Sequence, residues 1–528
     1  MIGRRQFGIS GAALALAGLH GGARAQGGKN VLRVVPQAEP QVFDPHQSGV
    51  NATQENAALI YDTLFSWDAD MVPRPQMVDT WKKSDDGLLY SFTLRPELKF
   101  HDRSPVTSRD VVTTLRRLLA RDTQNQILAG LVAEIAAKDD RSFTLRLKAP
   151  FGYVEFLLGG SNGVMGGIMR EQDALTDPFT PIKSRIGSGP FRFVEDEYRP
   201  GAKLVYEKFA DYIPRPEPAS GFAGGKRALV DRVEWMIMPD AAVAYAALRQ
   251  GEVDFLDAPP LYLLPTVAND PNIVIGEVWP IETYAVLRFN SLHPPFDNVK
   301  ARQAVAHAVS QQDYMSAAYG DPKYWRECYA FWICGSRNGT EEGSETYRKP
   351  DLERARALVR ESGYDGRPVV LIGGSDVLPY QRMSLITADL LKRIGMNVDM
   401  QLSDWGSVAA RRAKKDPPSQ GGWNLFHTSA NGAQLASPLT SPSTITTCDG
   451  KNFPGWPCDQ VEEDMRMQYI REIDPAKQKV LLEAMHRRLW ESLPYVPLGQ
   501  FRQPFLWRSN VKDVVKANTV VYWNIEKT

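Results

Sequence analysis

The sequence predicts a mixed α/β chain folded into two or three lobes, and three observations carry that reading. The chain has 528 residues, 43% hydrophobic and 10% aromatic, whereas a single core rarely grows beyond about 250–300 residues. Short β-rich runs alternate with segments of helical periodicity along most of its length. Clusters of Gly, Pro, Asn and Asp separate those runs as turns.

In chain order, "VLRVVPQ" from Val31 opens as a strand. The period-2 segments "SFTLRPELKF" and "SFTLRLKAP" follow, and between them "TSRDVVTTLRRLLARD" begins with capping residues and carries apolar positions at helical spacing. These form one α+β unit over residues 60–180. "IGSGPFRFVEDEYRPGAKLVYEKFADYI" reads as a hairpin turning at "RPGA", and the Pro/Gly-rich stretch 214–226 as an exposed loop. A strand "VEWMIMP", a helix "DAAVAYAALRQ" stopped by Gly251, and a strand "VDFLDAPP" then give a β-α-β unit.

A second β/α lobe begins near residue 285 with the strand "YAVLRFN", the turn "SLHPPFDN" and a single helix "VKARQAVAHAVSQQDYM". Later, "VVLIGG", "MSLITADLLKRIG" and "MNVDMQL" make another β-α-β unit, and "YVPLGQFRQPFLWRS" returns the chain to the first lobe.

Composition narrows the function. Lys+Arg and Asp+Glu both number 62, and no basic block interleaved with aromatics offers a groove for a polyanion, so no nucleic-acid partner is expected. Residues 1–25 pair Arg4 and Arg5 with Phe7, continue with the weakly apolar "ISGAALALAGL", and end in "ARA" before Gln26. This is a cleavable export leader. Its paired arginines resemble a twin-arginine signal, although Gly3 stands where Ser or Thr is commoner; an ordinary Sec leader fits the same residues. No other apolar run approaches the roughly 20 residues of a membrane span, so the mature chain is expected to be a soluble periplasmic protein.

Four cysteines fall as two close pairs, Cys328 with Cys334 and Cys448 with Cys458. In an oxidising compartment such pairs read as disulfides. Zinc is the competing reading, but neither pair has the short knuckle spacing of a structural zinc site.

Reactive motifs are scarce. None of the seven histidines (20, 46, 101, 293, 307, 427, 486) has another at i+3 or i+4, so no local metal pair exists. His307, in the Ala/Val-rich helix "ARQAVAHAVS", reads as structural. In "GGWNLFHTSANGAQLASPLTS", His427 and Ser429 share one face of a strand, which keeps a hydrolase using that pair as an alternative. Between Asp416 and Asp449 the chain has no acid to orient such a pair.

Five ordered segments carry a family resemblance: "YDTLFSWDADMVPRPQMVDTWKKSDDGLLYSFTLRPELKFHDRSPVTSRDVV", "GSGPFRF", "AALRQGEVDFLDAPP", "LRFNSLHPPFDNVKARQAVAHAVSQQDY" and "LLKRIG". Together they resemble the extracytoplasmic solute-binding proteins of family 5, the dipeptide-, oligopeptide- and nickel-binding components of ABC importers. The resemblance implies a two-lobed periplasmic binding protein fold of class II, cluster C type, closing about a hinge of two or three crossing strands. Lobe one would comprise residues 26–59, 181–285 and 505–528 with 60–180 as an extra α+β subdomain, and lobe two residues 286–504. It implies a monomer that takes a peptide-like or other small solute to a membrane permease and its ATPase, with no cofactor and no catalysis. A receptor for chelated nickel, using His46 or His427, is the metal-binding alternative.

The resemblance also locates the site. Peptide-binding members follow the strand "WNLFHTS" with a Trp and, three residues on, an Asp for the ligand's ammonium; here Ala430 and Ala433 occupy those places. Dipeptide binders hold the ligand carboxylate with an Arg just before the helix that here is "RMSLITADLLKRIG", where this chain has "GGSDVLPYQ". Trp405, in "SDWGS", matches a position near the cleft. The expected ligand contacts are Ser48, Trp405, His427, Ser429 and Asn431.

Overall fold

The computed structural model describes residues 30–121, 125–161, 164–257, 259, 261–375, 377–439, 441–472 and 474–528. The expected leader at residues 1–25 and the acid of "GGSDVLPYQ", Asp376, lie outside them.

Strand β1 (Val31–Val35) buries Leu32, Val34 and Val35, and the following helix α1 (Asn51–Ile60) is almost wholly interior. A small antiparallel sheet comes next: β2 (Val78–Lys83), β3 (Leu89–Leu94), β4 (Val132–Ala137) and β5 (Ser142–Leu147), in the order β2-β3-β5-β4, with helix α2 (Ser108–Arg121) between β3 and β4. The alternation expected of "SFTLRP" is real, since Tyr90, Phe92 and Leu94 face inward. Arg117 of α2 ties this unit to the segment after β1 through a fully buried ion pair with Asp44, at 2.8 Å.

The chain then lays down β6 (Phe191–Phe193), β7 (Lys203–Lys208), β8 (Arg232–Met236), helix α3 (Ala241–Gln250), β9 (Phe255–Leu256) and β10 (Ile273–Glu277). Helix α3 starts where the Asp240 carboxylate accepts the N–H groups of Ala242 and Val243, and stops at Gly251, whose φ of 79° only glycine adopts readily.

In the second half, β11 (Thr283–Phe289) leads through the Pro turn to α4 (Val299–Ala308) and α5 (Gln311–Tyr319). The sequence reading gave these as one helix. They are two, because Val309 is extended and the Ser310 side chain accepts the Asp313 N–H, starting a new helix. Next come β12 (Trp325–Arg326), β13 (Val369–Gly374), α6 (Leu378–Arg393), β14 (Val398–Ser403), α7 (Trp405–Arg412), β15 (Leu425–Ala430), β16 (Tyr495–Phe501) and β17 (Pro504–Arg508).

Two large sheets result. One runs β6-β7-β8-β1-β9-β17-β10 and the other β12-β16-β11-β15-β13-β14. Of the stretch "YVPLGQFRQPFLWRS", β16 lies in the second sheet and the late strand β17 in the first. Glu277 of β10 lies opposite Pro504 of β17, and Thr283 of β11 opposite Phe501 of β16. The chain therefore crosses between the sheets twice, over 278–282 and over 502–503.

Each large sheet has an apolar core. Trp235, Tyr206, Phe505 and Trp523 pack around the first. The core of the second sheet is continuous with that of the small sheet, and the Tyr153 hydroxyl reaches that of Tyr469 at 3.4 Å. The structure also pairs Cys328 with Cys334 and Cys448 with Cys458.

Candidate ligand site

Between the two sheets lies a cavity of about 1260 Å³. Strands β13 and β15 run parallel, and the residues just past their C-terminal ends form one wall, the usual place for a ligand in an open α/β sheet. Val377, Leu378 and Tyr380 line it from α6, and Ser429, Ala430, Asn431 and Ala433 from β15 and the loop after it. Gln37, Asn51, Trp67, Phe222, Trp279 and Thr519 face them from the other side.

Three of the expected contacts line this cavity. Ser429 shares a hydrogen bond of 2.7 Å between its Oγ and the Tyr380 hydroxyl, and burial raises the Tyr380 pKa, so that phenol stays protonated. Trp405, the first residue of α7, packs its ring 4.6 Å from that of Tyr380. Asn431 spans the cavity, its side-chain amide donating to the Asn518 carbonyl at 3.2 Å while its Oδ1 accepts the Ala433 N–H at 2.9 Å.

The other two expectations need correction. His427 does share a strand face with Ser429, but α6 covers that face. Only the C-terminal end of β15 remains open to the cavity. His427 is buried, with Nε2 2.9 Å from the Thr387 hydroxyl, and Thr387 is bonded in turn to the Tyr314 hydroxyl at 2.6 Å. Desolvation lowers its pKa to about 3, so it is neutral at any physiological pH. Ser48 misses the lining by one residue. Its Oγ accepts the Val50 N–H at 3.2 Å and its carbonyl the Gln54 amide at 2.6 Å, while Gly49, Val50 and Asn51 form the wall. These bonds tighten the turn into α1 and use the hydroxyl inside the chain.

The alternatives lose their residues in the same way. Ser429 is bonded to a tyrosine and His427 to a threonine, so no nucleophile–base pair is assembled. His46 is buried against the Gly167 carbonyl at 3.0 Å, and no histidine stands among the described lining residues. Among the described residues, the one cluster with metal-ligating reach is Cys328, Cys334 and Glu341, and its sulfurs are joined to each other.

Several lining groups escaped the sequence reading. Trp67, Trp279, Tyr380 and Arg412 come from four separate segments, and no local pattern marks any of them. Behind the wall formed by Gln37 and Thr519 sits a buried acid pair. Burial and then the charge of Asp257 push Glu55 well above the usual carboxylate range, while burial raises Asp257 to about 6 against the lowering effect of the Gln37 N–H, which it accepts at 3.1 Å, and of its hydrogen bond with Glu55.

Comparison with known proteins agrees with this geometry. Residues 72–453 match the family described as bacterial extracellular solute-binding proteins, family 5 Middle. A Sinorhizobium fredii protein named "Probable peptide ABC transporter periplasmic-binding protein y4tO" is 37% identical over 489 residues, covering 92% of this chain and 91% of that protein. Among solved structures, the dipeptide binding protein of Pseudoalteromonas in complex with Met-Leu superimposes with a TM-score of 0.78 at 20% identity, over 94% of this chain and 100% of that one. NikZ of Campylobacter jejuni in complex with Ni(L-His) does so at 0.76 and 16% identity, over 94% and 97%. By the family match over residues 72–453 and the 37% identical relative, the chain belongs to the bacterial extracellular solute-binding proteins of family 5.

Proposed function

We propose that the chain is the periplasmic receptor of an ABC importer, taking a peptide-like solute between its two lobes and handing it to a membrane permease driven by an ATPase. One observation carries this best: the cavity between the sheets is lined on both sides by hydroxyl, amide and aromatic groups, with Ser429 bonded to Tyr380 and His427 to Thr387. The peptide-named relative at 37% identity supports the ligand class. A cavity of about 1260 Å³ exceeds what a dipeptide fills, which favours longer or bulkier solutes.

The lobes divide at the double crossing. The lobes are those the resemblance implied, the described part of 26–59 with 181–285, 505–528 and the subdomain 60–180 in one and 286–504 in the other, a division that the crossings over 278–282 and 502–503 support. Export by the leader over residues 1–25 fits the same reading, with Arg4 and Arg5 choosing the twin-arginine route; exchange of both for Lys should hold the precursor inside the cell.

Isothermal titration of the mature protein with alanine peptides of two to five residues tests the receptor reading. Saturable binding without release of shorter peptides is expected. Turnover of a peptide that is lost in Ser429→Ala would sink it.

A further inference from the structure

We propose that Glu55 and Asp257 hold one proton between them and that this proton fixes the segment 517–519 against the cavity, so that taking up a solute is proton-linked. Glu55 lies on α1 and Asp257 just past β9, 1% and 2% exposed. Their carboxyls are hydrogen-bonded to each other. Ionised carboxylates only accept, so this bond requires a proton on one of the two. Glu55 carries it: Asp257 already accepts the Gln37 N–H at 3.1 Å, while burial and the charge of Asp257 hold Glu55 well above the usual carboxylate range. Among the described residues no cation pairs with either group, and two carboxylates in one buried contact do not both ionise cheaply.

What the proton holds stands beside the cavity. Thr519 lines it, with its hydroxyl 3.5 Å from one Glu55 carboxyl oxygen, and the Tyr522 hydroxyl lies 3.5 Å from the other. One residue earlier, the Asn518 carbonyl accepts the Asn431 amide from across the cavity at 3.2 Å. The Ala517 N–H donates at 3.0 Å to the carbonyl of Val278, in the crossing over 278–282. Three consecutive residues thus touch the acid pair, the opposite wall and the crossing. On the other side of the pair, Gln37 and the α1 residues Asn51 and Gln54 also line the cavity. Loss of the proton leaves two negative charges in a dry contact, which drives these segments apart or admits water.

The surrounding groups do not take over the proton. Tyr206 and Tyr522 face the pair and stay protonated, pushed well up by burial and by the Glu55 charge. Beyond Tyr206, Arg185 pairs with Glu195 at 2.5 Å, and Glu39 accepts the Tyr198 hydroxyl at 2.9 Å. On the neighbouring strands Arg33 pairs with Glu234 at 3.8 Å, and Lys527 with Asp254 at 2.8 Å. Both carboxyls of the pair bind protons more readily folded than unfolded, so the stability they lend is whole at low pH and is lost as pH rises. Asp257 ionises at about 6, which leaves the single shared proton, and the pair gives that proton up only at higher pH.

Infrared difference spectra of the mature protein and two variants test for the proton. Near pH 7 the native protein should show the carbonyl stretch of a protonated carboxyl that Glu55→Gln lacks and Asp257→Asn shifts; Glu462, raised to about 8 by burial, adds a band that neither variant moves. No band lost in Glu55→Gln overturns the proposal, and if that variant does not fold, a band unmoved in Asp257→Asn does so. For the linkage, the alanine peptide bound most tightly in the titration above is measured from pH 6 to pH 9. Native affinity should fall by up to about tenfold per pH unit once the proton leaves. Glu55→Gln, which donates to Asp257 without titrating, should lack that fall. The peptide's own ammonium titrates alike against both proteins, so a native-to-variant ratio that stays constant with pH overturns the proposal. If no alanine peptide binds, the peptide-like reading has failed and this one is decided by hydrogen exchange of residues 517–522, corrected for intrinsic rate: faster at pH 9 than at pH 6 in the native protein alone supports it, and equal behaviour in Glu55→Gln overturns it.

Discussion

At the scale of single residues, the histidines show how completely burial decides chemistry. His486 lies between the rings of Phe331 and Trp332 with neither ring nitrogen hydrogen-bonded, and desolvation lowers its pKa to about 3. A histidine whose folded pKa is depressed binds fewer protons folded than unfolded, so its share of stability is whole above pH 6.5 and is lost as pH falls toward 3. From pH 7 to pH 5 that loss is about 2 kcal/mol for one such group. His427 at about 3, and His46 and His101 at about 4, add to the same slope. We expect His486→Leu to flatten the acid decline by about one histidine's worth, read from urea unfolding at pH 5 and pH 7; an unchanged slope would show that His486 is not neutral in the folded state.

At the scale of elements, the crossing between the sheets is pinned by one side chain. The Glu282 carboxylate accepts from the Nε groups of Arg326 at 2.6 Å and Arg502 at 3.0 Å, and from the Gln500 amide at 2.6 Å. The arginines are about half exposed, 48% and 47%, so solvent discounts each pair. Loss of the hub in Glu282→Ala should cost about 1 kcal/mol in all. A wider spread of lobe orientations should accompany it, seen as a larger radius of gyration in small-angle scattering without ligand; an identical scattering curve would refute a hinge role. The strands and helices around this hub were legible in the sequence. Helical period marked α6 from Met383, missing its first turn from Leu378, and the resemblance placed the strand that is β15. Which part of β15 meets the cavity was not legible, since that depends on α6 covering His427 through Thr387 while its first turn, at Tyr380, flanks Ser429.

At the scale of the whole molecule, the order of elements mattered more than any motif. The two-lobe reading came from five weak segments in sequence, and the late return of β17 to the first sheet is a consequence of that order. The cavity wall was only half legible: the resemblance singled out Trp405, Ser429 and Asn431, whereas Trp67 and Tyr380, though on quoted segments, and Arg412 meet the cavity only in three dimensions. Compartment is read at this scale too. With both cysteine pairs joined, mass spectrometry of the protein recovered from the periplasm, alkylated without reduction, should find no free thiol. Labelling of two cysteines within one loop would contradict an oxidising location.

The two crossings are unequal, one of five residues and one of two by the register of the strands they join. On the proposed receptor reading the shorter, Arg502 and Gln503, with no slack, would serve as the pivot, and the longer would take up the change in path. Trp279 sits within that longer span, its ring 5.5 Å from Phe505 in an edge-on contact and its indole N–H buried without a partner among the described residues. It also lines the cavity, as do Trp67 and Trp405. On the proposed receptor reading, closing would alter the surroundings of an indole in the longer crossing as well as those at the walls, and the molecule would carry its own optical gauge: ultraviolet emission reporting occupancy and movement together, with no dye attached.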